Sequence, residues 1–273
     1  MEQVTKPVMV DMATLLKYEA KRTSKGLFLT AILPLIGLAC FTGISVIPLD
    51  AVRVLGLTMS VLCFVGILVM PFIYLVFDYW RCSYGATAHL THSMPVAGGK
   101  IFLTKLIWSS ITYLLALALA FGGGVIILLG ISHNLGIPFK TIRDQIFHNI
   151  NSLPGWVIVA AILYLVASVA YGLAFFYFSI SLGFESWMQR FGKGGPVIVG
   201  IVLYVATQLI GLAALLIPVG LQTYPDFKLT NFNIFNMPDG AAFMPLGVYI
   251  IPFLMLAALT WRTWRSWQSK ISM

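Results

Sequence analysis

Six long apolar runs separated by short polar segments set the plan of the chain. Uncharged runs extend over 27–49, between Gly26 and Asp50, and over 54–77, between Arg53 and Asp78. A third covers 106–131; its charge-free stretch reaches Phe139, but His133, Asn134, Gly136 and Pro138 read as a loop. The others cover 155–182, 196–219 and 242–261. A helix needs roughly 20 apolar residues to cross a hydrocarbon core about 30 Å thick, so each run predicts one span. The runs are continuously apolar rather than alternating, and each is longer than a barrel strand, which argues against a transmembrane β-barrel. The predicted fold is all-α: a polytopic bundle of six transmembrane helices in a single domain.

The polar segments are less uniform. In the tail 1–26, Val8, Met12, Leu15 and Leu16 share one helical face, with Lys17 and Lys21 roughly opposite. Glu19 and Arg22 return to the apolar side, so the stripe lasts about two turns. This predicts an amphipathic interfacial helix ahead of the first span, with a solvated tail as the alternative. Between the second and third spans, Tyr84 to His92 can form a short helix that ends where Pro95 disfavours helix at Met94. Gly98 and Gly99 predict a tight turn, after which Lys100 and Lys105 return the chain to the membrane surface. Such a helix suits docking to a soluble partner, and equally a plain connector. The segment from His133 to Pro154 has room for a short helix.

Composition narrows the class. Apolar residues make up 59% of the chain and charged residues 10%, against roughly 45–50% and about 25% in soluble domains. So few charges cannot cover a water-facing surface, and a soluble enzyme is excluded. Of the 17 basic residues, thirteen fall on one side of a six-span plan: Lys6, Lys17, Lys21, Arg22 and Lys25; Arg81, Lys100 and Lys105; Arg190 and Lys193; and Arg262, Arg265 and Lys270 in the tail 262–273. Only Arg53, Lys140, Arg143 and Lys228 fall on the other. The positive-inside rule then places both termini in the cytoplasm, and the cell membrane is the expected location. Topology accounts for the net charge of +8 without nucleic acid as a partner. Trp261, Trp264 and Trp267, interleaved with Arg262 and Arg265, predict an anchor at the headgroup level. No small-residue cleavage site follows a short apolar core, so the first run is expected to remain as a span. Cys40, Cys63 and Cys82 suggest neither a disulfide framework nor a metal spacing.

No Gly-x-Gly-x-x-Gly and no P-loop is present, so the chain is not expected to hold a nucleotide itself. His89 and His92 share a helical face but have no third ligand, and no metal site is expected. The spans carry no internal acid or base, which argues against proton-coupled transport and membrane-embedded catalysis. Gly122-Gly123-Gly124 reads as a packing surface in preference to a hinge. Pro34 and Pro71 predict kinks.

The residues Tyr84-Gly85, Leu90-Thr91, Met94-Pro95-Val96 and Lys105 resemble, in order and spacing, the second-to-third-span loop of type-2, exporter-like permeases of ATP-binding-cassette (ABC) transporters. The whole plan of tail, interfacial helix, six spans and a long outer loop is similar too. The resemblance implies that 84–94 is a coupling helix docking on a separate ABC ATPase subunit. Tyr84, Gly85, His89, Leu90, Thr91, His92, Met94 and Pro95 would form the contact. A smaller contact is implied at Phe184 to Gly195, and an outer gate of short helices in Gly220 to Gly240, where a plain solvated loop is the alternative. ATP and Mg would be bound by the partner ATPase, and a second permease subunit would complete a homodimer or heterodimer in membrane lipid. The cargo would be amphipathic or apolar (a drug, peptide or lipid), as in antimicrobial or multidrug efflux. Ala86-Thr87-Ala88 departs from the glycine or acidic residue common there, which puts the local contact in doubt. Two readings from other classes are an ATP-independent secondary carrier or channel, and a membrane immunity or scaffold protein.

Overall fold

The computed structural model describes residues 11–85, 87–93, 96–151, 153–217, 219–224, 228–231 and 242–269. Its elements, in chain order, are α1 (Met12–Ile44), α2 (Asp50–Ser83), α3 (Ala88–His92), α4 (Gly98–Leu135), α5 (Phe139–Asn151), α6 (Gly155–Gly183), a 3-10 segment (Ser186–Gly194), α7 (Gly195–Leu215), β1 (Gly220–Tyr224), β2 (Lys228–Thr230), β3 (Ala242–Pro245) and α8 (Leu246–Ser269). Six of the helices, α1, α2, α4, α6, α7 and α8, are long and apolar enough to cross a membrane. Their outward surfaces are apolar: Leu33, Phe121, Val202 and Leu254 are each more than 60% exposed. Only a lipid solvent accommodates such surfaces on every span. The protein is an all-α, multi-pass membrane protein.

Four helices, α1, α2, α4 and α8, run past the predicted spans, and α8 starts at Leu246 because the predicted opening at 242–245 is strand β3. The 33 residues of α1 rise about 50 Å at 1.5 Å per residue, well beyond a hydrocarbon core of about 30 Å. The tail helix and the first span are therefore one element rather than an interfacial helix followed by a span. Nothing between Met12 and Gly26 breaks a helix, and Gly26 sits where a side chain would collide with Tyr74. Residues 1–10, including Val8 of the predicted stripe, lie outside those described. Likewise α2 runs to Ser83 and α4 begins at Gly98. The predicted turn at Gly98 and Gly99 is instead the first turn of α4. Pro34, Pro71 and Pro252 all lie inside continuous helices.

The chain packs as two compact units. One comprises Asp11–Tyr79 and Ile107–Val157. Leu38, Ile67 and Ala120 form its core, with Leu35, Cys63, Phe64 and Ile126 packed around them. Without a hydrophobic drive between helices in lipid, close van der Waals contact and interhelical hydrogen bonds hold such a unit. A side chain on Gly56 would strike the Ser45 backbone, and one on Gly130 would strike Thr42. Gly123 faces Leu38 and Ile67 with no room to spare, whereas Gly122 faces open space; the glycine triplet packs, as expected, through its middle member. Thr42 Oγ1 donates to Ser60 Oγ at 3.0 Å, which donates on to the Gly56 carbonyl at 2.8 Å.

The other unit contains Trp80–Leu106 and the chain from Ile158 onward. Here Tyr164 meets Tyr249 edge-on at 5.0 Å, and Gly247 lies against the Ala214 carbonyl. The described residues of the long segment ahead of α8 form a three-stranded antiparallel sheet, order β2-β1-β3; the resemblance implies short helices in Gly220 to Gly240, of which 225–227 and 232–240 lie outside the described residues. Gly220 pairs with Thr230 on one side and with Pro245 on the other. Pro245 falls on an edge strand, where its missing N–H does least harm. The Leu246 amide donates to the Val219 carbonyl at 3.0 Å, so α8 starts directly from the sheet.

Candidate functional site

The predicted docking segment begins where α2 stops. The amides of Tyr84 and Gly85 both donate to the Trp80 carbonyl, at 2.9 and 3.0 Å. This widens the last turn of α2 and turns the chain away. Gly85 has no alternative there, since a Cβ would fall 2.7 Å from the Arg81 carbonyl oxygen. After this turn only Ala88–His92 is helical, shorter than the predicted 84–94. Met94 and Pro95 lie outside the described residues, as do the side chains of Leu90 and His92.

Two of the predicted docking residues, Tyr84 and Thr91, hold the segment instead of presenting it, with Thr87, outside that set, assisting. Thr91 is buried, and its hydroxyl donates to the Cys82 carbonyl at 2.8 Å. Thr87 Oγ1 donates to the Arg81 carbonyl at 3.1 Å. Together these bonds fold α3 back onto the end of α2, with Ala88 also buried. The Tyr84 ring stacks on Phe184, centroids 5.0 Å apart and planes 9° apart, and meets Trp267 edge-on at 6.2 Å. His89 points outward and is exposed. Of the predicted set, His89 is therefore available to a partner, whereas Tyr84 and Thr91 position the helix. Lys105, predicted to open the third span at the surface, is buried two turns into α4.

The second predicted contact joins this arrangement through Phe184. A side chain on Gly183 would strike the backbone of Gly195 and Pro196, so both ends of the intervening 3-10 segment meet and close a loop. Gly192, at φ +53, makes the turn that returns the chain. Met188 is buried beneath the loop, while Trp187 and Phe191 are exposed and Arg190 lies over the Phe191 ring at 4.8 Å.

Glu185 locks this loop to α8. Its side chain is 2% exposed. It accepts from Ser266 Oγ at 2.6 Å, from Arg262 Nη2 at 3.1 Å and from Trp187 Nε1 at 3.0 Å. A buried carboxylate is tolerated because donors, one of them cationic, surround it. Trp267, predicted as a membrane anchor, is buried beside Tyr84, and its backbone lies against Gly98. Trp261 does face outward, 58% exposed. At 100° per residue, a spacing of three drifts 60° around the helix at each step, which carries the tryptophan row from the lipid face into the protein.

Sequence reasoning gave Glu185 no role of its own and counted Arg262 only as one charge in the topology and in the tryptophan anchor. The missed signal was the pairing of Arg262 with Ser266, four residues apart on one helical face, in a chain with only nine acidic residues. Among the described residues, no three His, Cys, Asp or Glu side chains converge as a metal site. No family model, curated protein or solved structure matches this chain.

Proposed function

We propose that this protein is the membrane subunit of an ATP-driven exporter, docking to a separate ABC ATPase through the segment around α3. One observation carries the reading. A short helix outside the spans is fixed by Thr91, Thr87 and the Tyr84–Phe184 stack to the ends of α2 and α6, with His89 turned outward. A plain connector needs no such bracing. A lever does, because force applied at α3 must reach the spans without being lost in a loose loop. The sequence resemblance supports the same assignment. Closure of an ATP-bound partner dimer would move α3 and the loop carrying Trp187 and Phe191 together, and the attached helices would shift as packed bodies.

In this reading both termini are cytoplasmic, with the thirteen basic residues on the inner side. A second permease subunit, identical or not, completes the pathway. The cargo is amphipathic or apolar. Co-purification with the ATPase subunit and measurement of its ATP turnover test the proposal. Charged substitutions His89→Glu, Leu90→Asp and Met94→Asp should abolish ATPase binding while the bundle remains folded by circular dichroism. Unchanged assembly and turnover in all three variants would refute docking at α3. Transport driven by an ion gradient without ATP would instead establish the secondary-carrier reading.

A further inference from the structure

The connection between α4 and α6 is itself a helix, and its surface is divided in two. At 100° per residue, Phe139, Ile142, Ile146, Phe147 and Ile150 gather on one side of α5. The opposite side, Thr141, Asp144, Gln145, His148 and Asn149, borders an open cleft. No residue of α5 is buried. Ile146, Phe147 and Ile150 are 42%, 56% and 43% exposed and Phe139 and Ile142 are half-buried, so the described residues leave most of the apolar side uncovered.

The placement of α5 indicates what covers it. Three residues separate it from α4 and three from α6. At no more than about 3.6 Å per residue, each end lies within roughly 14 Å of the end of a spanning helix. The first connection is also rigid: Gly136, at φ +66, reverses the chain, and Ser132 Oγ donates to the Ile137 carbonyl at 2.6 Å. A helix tethered in this way at both ends cannot leave the bilayer surface. Lys140 borders the apolar side and Arg143 falls within it, paired with Asp144 at 2.7 Å; long cationic side chains reach lipid phosphates while their stems stay in the apolar layer. Leu135, Leu153 and Trp156, just before and after α5, are exposed as well, which continues the apolar surface along both connections.

We propose that α5 is an interfacial helix lying in the headgroup layer of the bilayer, its Phe139–Ile150 side against the acyl chains and its Asp144–His148 side in water. This assignment is independent of the exporter reading and of the direction of transport.

Spin labels on the full-length chain test it. Cys40, Cys63 and Cys82 are replaced by alanine, and single cysteines are introduced in turn at Thr141, Ile142, Gln145, Ile146, His148 and Ile150. The proteins are reconstituted in vesicles of phosphatidylcholine and phosphatidylglycerol. The ratio of collision with oxygen to collision with a water-soluble nickel chelate should be several-fold higher at Ile142, Ile146 and Ile150 than at the other three positions. Should an apolar-side variant fail to fold, a gadolinium-chelating lipid gives a second reading, by relaxing the labels at Thr141, Gln145 and His148 strongly. Equal nickel access at all positions, with no gadolinium effect, would overturn the proposal in favour of a solvated helix. Apolar-side labels closed to both reagents would also overturn it, and dipolar broadening would then identify a second copy as the cover.

Discussion

Glu185 and Asp78 each receive an arginine, but in different surroundings. Glu185 is 2% exposed and shares its oxygens among Arg262, Ser266 and Trp187. Asp78 is 18% exposed and is held bidentately by Arg22, through Nη1–Oδ1 at 2.8 Å and Nη2–Oδ2 at 2.6 Å. Arg22, itself 37% exposed, also reaches Glu19 at 2.7 Å. The bidentate pair has the better geometry, yet more water surrounds it. Exposed pairs gain little because water already solvates both charges, whereas a desolvated carboxylate depends on every donor it has. Geometry alone therefore ranks the two sites wrongly, and burial reverses the order.

The largest effect should follow from removing a partner at Glu185. The variant Arg262→Met leaves the carboxylate buried without its cation, and should lower stability by about 3–5 kcal/mol, the range for breaking a buried pair. Thermal unfolding in detergent would measure it. The double variant Glu185→Leu/Arg262→Met should recover much of the loss, because no buried charge then remains. A double variant as unstable as the single one would mean that the network acts through its hydrogen bonds to Ser266 and Trp187 rather than through charge.

Much of this contrast was hidden in the sequence, and the reasons are physical. The spans were legible because lipid demands continuous apolar runs, and 155–182 matches α6 to within a residue. The ends of α1, α2 and α4 were not, because a helix does not stop where its hydrophobicity does: polar residues such as Lys17 and Lys21 continue a helix as readily as leucine. Glu19 and Arg22 were seen to interrupt the apolar face of the tail, but only the fold reveals that they face Asp78. The short helix α3 could be located from its turn residues and proline. Its inward and outward faces could not, since Thr91 is pinned by a carbonyl nine residues earlier. The tertiary neighbours of Gly98 and Gly99, near which Trp267 and Trp264 pack, were equally invisible, and so both were taken for a turn.

Those glycines give the second comparison. A methyl group on Gly98 would meet the Trp267 backbone carbonyl, which cannot move without α8, whereas one on Gly26 would meet the outer end of the Tyr74 ring, a side chain rather than backbone. Gly98→Ala should cost about 1–3 kcal/mol, the usual range for overpacking a close contact. Gly26→Ala should cost less, or even stabilise α1 through the higher helix propensity of alanine, by up to about 1 kcal/mol. Unfolding midpoints of the two variants measured side by side decide the matter. Equal losses would show that Tyr74 is held as firmly as the backbone of α8.

The smallest effect is expected at Asp78, and it sharpens the comparison most. Asp78→Asn keeps the shape and one acceptor for Arg22 but removes the charge, while Glu19 still offers the arginine a carboxylate. With Arg22 more than a third exposed, the loss should stay near the range for exposed pairs, about 0.2–1 kcal/mol. It should also shrink as salt rises from low to physiological strength, where screening acts over about 8–10 Å. The salt dependence separates the two sites better than the size of the loss: Arg262→Met should be nearly indifferent to salt, because ions do not enter the space around Glu185. If Asp78→Asn were as costly as Arg262→Met and equally deaf to salt, the Arg22 cluster would have to be dry in the membrane. The lipid headgroups, rather than the protein, would then be excluding water from it.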